Sequence, residues 1–436
     1  MRGARRWVLS GVAVAALAAV LLVVGALGGS PSKPAQQRDQ PGAPAAIDPL
    51  SASIALAQKQ LKVTPTNART WAALAIDYIA QAKVTVDPSY YAKAAGAAKQ
   101  SLMLNSTSND AGYAALAALK SAEHQFAQAL AAADKGLAIN AFSSILFGAK
   151  GDALTQLGRY PEAAAAIDRM NQLLPGVPAF TRASYVFELR GDVASARSAL
   201  KRALQDASNP SDIAFARTYL GELAFNYGGD ATGALTEFEA GLSAAPRDFP
   251  LKAGRAKALA ALGRTTQALS AYAQLVSSVP QPQYVLEYGE LLEAQHDPQA
   301  QRQYALFRTE EDLFRANNVV LDTEPTLFEA DHGSPTKALE YARAGWKTRP
   351  FLEMADAYGW AEYANKDYQA ALGWSDKALA TGWTNALFHF HRGMIQKALG
   401  HRSEAVAELT KALTLNPHFN PLQVPRARAA LQALER

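Results

Sequence analysis

The residues best able to do chemistry sit late in the chain. Four of the seven histidines, His389, His391, His401 and His418, lie close to the carboxy terminus, and Asp322, Glu324, Glu329, Asp331 and His332 form an acidic stretch ahead of them. Imidazoles and carboxylates together bind Zn, Ni or Cu, so a metal-handling accessory role is one reading of this region. Spacing argues against His389 and His391 as a pair, because two residues along a helix turn through about 200° and point to opposite sides. Carboxylates at a helix start also have an ordinary use, capping free amides and favouring the macrodipole. Cysteine is absent, which removes thiol nucleophiles, thiolate metal sites and disulfides. The sequence has no GxSxG, no HExxH, no GxxxxGK followed by Ser or Thr, and no GxGxxG after a strand. These are the usual marks of hydrolase, metalloprotease, phosphate and dinucleotide sites. No catalytic residue, metal ligand or cofactor is assigned, and the chain is not expected to be an enzyme.

Aromatic residues offer a different chemistry. Trp346, Trp360, Trp374 and Trp383 fall within 38 residues of one another, with Tyr358, Tyr363, Tyr368, Phe388 and Phe390 among and after them. Such side chains bury large areas with few rotatable bonds, which suits them either to anchor a peptide or to fill interfaces between packed elements.

The elements that must position these residues begin with an apolar segment. Arg2, Arg5 and Arg6 precede a stretch from Trp7 to Ser32 without a charge, apolar to about Leu27. About 20 such residues span a bilayer core, and basic residues ahead of the span stay on the cytoplasmic side. Residues 1–28 therefore read as a signal anchor and transmembrane helix, with the rest outside the cytoplasm. Cleavage near Ala26 and Gly28, giving a secreted protein, is the alternative. Residues 29–48, with Pro31, Pro34, Pro41 and Pro44, read as an extended linker that cannot bury enough apolar surface to fold. The first 48 residues hold five basic and two acidic residues, leaving 38 against 37 in the rest. A nucleic-acid partner needs a basic excess to displace counterions, and none is available here.

From about residue 49 the chain repeats itself. An alanine with aromatic and small neighbours recurs at Ala94, Ala129, Ala163, Ala196, Ala234, Ala268, Ala300, Ala338, Ala371 and Ala405, a mean spacing of about 34.6 residues. The cleanest unit carries Phe147, Lys150, Gly151, Leu154, Tyr160, Ala163, Ile167, Met170 and Pro175; the last carries Gly393, Ala405, Leu409, Ala412 and Pro417. The first has Trp71, Leu74, Ala75 and Tyr78, then an insertion around Val84 to Ser89. Small residues at fixed positions let paired helices approach closely while large ones fill the gaps between them. Pro175, Pro246, Pro280, Pro350 and Pro417 fall at ends of second helices, and Gly158, Gly191, Gly229 and Gly263 at turns inside the pairs.

This pattern resembles the tetratricopeptide repeat, in particular a membrane-anchored bacterial type of unassigned role. The resemblance implies an all-α solenoid of about ten helical hairpins wound into a superhelix over residues 49–424, with first helices on the concave side and a capping helix over residues 425–436. Units near 177 and 281 match loosely. By the family's groove convention, Glu353, Asp356, Trp360 and Tyr363 of the ninth unit and Phe390, Met394 and Lys397 of the tenth would face inward as partner-binding residues. The Lys and Asn with which chaperone-binding members hold a peptide's terminal carboxylate are not matched. The expected function is thus a membrane-tethered scaffold that binds a protein or peptide outside the cytoplasm along its concave face. Metal handling, or service as a regulatory subunit of a membrane complex, are the alternatives.

Overall fold

The computed structural model describes residues 49–436 except 86, 88 and 317–321. The expected anchor and linker lie outside the described residues, and no described helix is long and apolar enough to cross a membrane. Every regular element among the described residues is an α-helix, 22 in all. They run α1 Pro49–Val63, α2 Ala68–Thr85, α3 Ser89–Leu104, α4 Asp110–Ala122, α5 Phe126–Ile139 and α6 Ser144–Gln156. Next come α7 Tyr160–Leu173, α8 Val177–Glu188, α9 Val193–Asp206, α10 Pro210–Asn226, α11 Ala231–Ala244, α12 Phe249–Ala261, α13 Thr265–Ser278 and α14 Pro282–Ala294. The rest are α15 Ala300–Ala316, α16 Thr323–His332, α17 Pro335–Thr348, α18 Leu352–Ala364, α19 Tyr368–Ala378, α20 Ala386–Ala398, α21 Arg402–Leu415 and α22 Gln423–Glu435. The described residues divide into two compact units, one ending at Ala153 and the other running Leu154–Arg436, the division falling inside α6.

Local chemistry sets the helix ends. Asn109, Asp192, Asn209, Asp230, Asp248 and Asp367 each accept a hydrogen bond from the backbone amide three residues on, satisfying donors that a helix start leaves free. The turns at Gly158, Gly191 and Gly263 close at φ near +70°, where glycine carries no steric cost. His124, His296 and Lys366 hold the same left-handed conformation in the turns before α5, α15 and α19.

All ten repeating alanines lie in second helices, and each is at most 3% exposed. The reason is distance. A methyl carbon added at Gly254 in α12 would sit 2.5 Å from the Phe238 ring, and Gly221 in α10 presses on the same ring from the other side. Phe238 thus fills the gap between successive first helices because both neighbours lack a side chain there. Gly136, Gly241 and Gly345 make room in the same way for Leu146, Leu251 and Met354 of the following helices.

Unit two closes on itself. The turns around Gly158, Gly191 and Gly228–Gly229 abut the connections at Pro350, Gly382 and Leu415–Pro417. Tyr160 Oη accepts from the Leu352 amide at 2.9 Å across 192 residues of chain. Trp383 Nε1 donates to Tyr227 Oη at 2.7 Å, and the Gly228 amide to the Leu415 carbonyl at 2.6 Å. Buried Arg349 donates to Gln156 at 2.7 Å and pairs with Asp322 at 2.9 Å. Leu189, Leu352, Trp383 and Phe388 form the apolar filling of this seam, with Tyr160, Tyr185, Tyr227, Trp346 and Trp374 against it.

A candidate ligand groove in unit one

The late aromatic residues come together, but as interior. Trp360, 1% exposed, stacks between Tyr363 at 4.5 Å and His391 at 4.1 Å, and its Nε1 donates to Asp331 at 3.2 Å. Phe390 is fully buried between Trp360 and Phe419. Asp356 is buried against His391 Nδ1 at 2.8 Å. Met394 and Glu353 are half-buried, and Lys397 alone among the seven anticipated partner-binding residues is exposed. Helix α22 covers this wall with Ala427 and Ala430, while Gln423 Nε2 donates to Asp331 at 2.8 Å and Arg426 lies over Trp360. Trp360 and Phe390 are thus closed to a ligand, by α22 together with Tyr363, His391 and Phe419. The capping helix expected to present a polar surface is thus also the lid over the wall.

The late histidines and acids are occupied locally. His389 Nδ1 meets Glu408 at 2.5 Å and His401 Nδ1 meets Gln396 at 2.7 Å. Asp322 accepts from the Thr323 amide and pairs with Arg349, and Glu329 accepts from the Ser334 amide at 2.7 Å. Burial opposes charge on His332, but Glu290, Asp331 and Glu293 around it outweigh that and hold its pKa above the usual value. His418 is pushed the other way by burial and by Arg428. Among the described residues no group of three or more such side chains is arranged to hold a metal ion.

Unit one carries an open groove that the sequence reading passed over. It measures about 560 Å³ and lies between α1, α2, α4 and the start of α6. Leu56 and Ala57 of α1, Ala73 of α2, Ala111 and Ala114 of α4 and Ile145 of α6 supply its apolar lining. Arg69, Ala73 and Asp77 follow one another at intervals of four along α2, which puts them on one helix face. Leu56 and Phe142, at 57% and 73% exposed, leave apolar surface beside it. One signal was present in the sequence, the single carboxylate Asp77 inside the otherwise apolar run Leu74–Ala80.

Residues 254–306 and 386–419 match family models of the tetratricopeptide repeat. The chain carries tetratricopeptide repeats. The first match takes in α14 and the start of α15, the larger part of the loosely matching unit near 281. No curated protein matches the chain. It is similar to a tetratricopeptide repeat protein from Parabacteroides merdae, with 19% identity, coverage of 60% of this chain and 99% of the other, and a TM-score of 0.37. It is also similar to a thermophilic repeat protein of Thermus thermophilus, with 18% identity, coverage of 48% and 98%, and a TM-score of 0.37. Repeats of this kind typically serve protein interaction rather than catalysis.

Proposed function

We propose that this tetratricopeptide repeat protein is a non-enzymatic, membrane-tethered scaffold that binds a protein or an extended peptide outside the cytoplasm. The observation carrying the binding reading is the groove of unit one, an open, partly apolar channel between α1, α2, α4 and the start of α6. Concave sites with a few polar groups among apolar walls are where proteins take ligands. The tether reading rests on the three amino-terminal arginines and the uncharged run Trp7 to Ser32. The late aromatic wall becomes a second contact only for a partner that displaces α22.

In-cell photo-crosslinking of the full-length protein tests both parts. A benzophenone side chain at Ala73 should capture one discrete partner, and the same group at the exposed Arg402 should not. Matching adducts from both positions would sink the groove assignment, and protection of the repeat domain from protease added outside the cytoplasmic membrane would sink the topology.

A further inference from the structure

The groove of unit one is lined by six apolar and eight polar residues, and Asp77 is the one buried carboxylate among them. Asp77 is 7% exposed and lines the groove. Its carboxylate accepts from Ser53 Oγ at 2.7 Å, and no cation lies within ion-pair distance of it among the described residues. Burial pushes its pKa up and the Ser53 bond only partly offsets this, as expected of a carboxylate short of donors. At the mouth, Asp110 accepts from Asn140 Nδ2 at 2.6 Å. Arg69, exposed on the rim, is the one basic residue among those lining the groove.

We propose that this groove takes an extended segment of a partner protein through a Lys or Arg side chain that donates to Asp77, with small apolar neighbours of that residue seated on Ala73, Ala114 and Ile145. The inference rests on the groove reading above and adds the chemistry of the occupant. A buried carboxylate with one neutral donor is best completed by a charged one, because a charge-assisted hydrogen bond is about twice as strong as a neutral one. The polarity is the reverse of a carboxylate clamp, since the protein supplies the anion and the ligand the cation.

The test uses the full-length chain and fluorescein-labelled nonapeptides of Ala, Val and Ser that differ only in a central Lys, Arg or Glu, read by fluorescence anisotropy. The Lys or Arg peptide should bind at least about tenfold tighter than the Glu peptide, and Asp77→Asn, which keeps shape and removes charge, should erase that difference without lowering the melting temperature. Equal binding of all three, or a preference that survives Asp77→Asn, overturns the assignment. If the peptides bind alike and Ala73→Trp abolishes binding, the groove reading stands and the cation falls. If no peptide binds, both fall. Tighter peptide binding by a chain lacking residues 29–48 would make the protein's own linker the occupant and overturn a separate partner.

Discussion

Glu188 accepts from Tyr227 Oη at 2.8 Å beside the seam of unit two. Burial lifts its pKa to about 7, Tyr227 works against the rise, and Glu222 and Glu353 add to it. Glu353 is also pushed up to about 7, chiefly by burial; Arg349 opposes the shift while Glu324, Asp322 and Asp356 reinforce it. Both carboxyls bind protons more strongly folded than unfolded, where a glutamate titrates near 4.5. Their contribution is therefore fully present below about pH 4.5 and is lost as pH rises through about 7. His332, held above its usual value, adds in the same direction. The melting temperature of the protein should be higher at pH 5.5 than at pH 8, and Glu188→Gln should flatten that dependence; a melting temperature that climbs from pH 5.5 to 8 would contradict it.

Helix pairing is the part of the fold that the sequence states openly. Close packing demands small residues at fixed intervals, so Ala94 through Ala405 mark every second helix. Glycine marks some turns and misses others, because His124, His296 and Lys366 adopt the left-handed conformation without being glycine. The site was less legible than the pairing. Helical periodicity says that Trp360 and Phe390 belong on the inner face of their hairpins, but not that α22 returns to cover that face. Asp77 was visible only as a charge in an apolar run, and its burial depends on α1 packing over α2 through Ser53. Removing residues 423–436 should uncover Trp360 and Phe390, red-shift tryptophan emission and raise binding of an apolar dye. Emission unchanged from the intact protein would mean that the wall is shielded by something other than α22.

At the scale of the molecule, most solenoids gain stability from nearest neighbours alone, and open from their weakest repeat. Unit two departs from that rule because its seam ties the turns of early hairpins to the connections between late ones. Arg349 is the polar centre of the seam, and removing one partner of a buried ion pair strands the other. Arg349→Met should cost about 3–5 kcal/mol. Amide exchange should then accelerate together in residues 154–230 and 350–420, although these segments are far apart in sequence. Acceleration confined to α17 and α18 would show that the seam does not couple them. None of this was available from the repeat period, which describes each hairpin's relation to the next and nothing beyond.

The seam also sets an order of events during synthesis. Tyr160 emerges from the ribosome 192 residues before Leu352, and at about 5–20 residues per second its partner follows roughly ten to forty seconds later. For that interval Tyr160, Tyr185 and Tyr227 have no seam to enter, although the hairpins bearing them can already have formed by local contact. The nascent protein therefore carries a sticky tyrosine edge whose lifetime is fixed by chain length, and anything that slows elongation between residues 230 and 350 lengthens its exposure to the wrong partner.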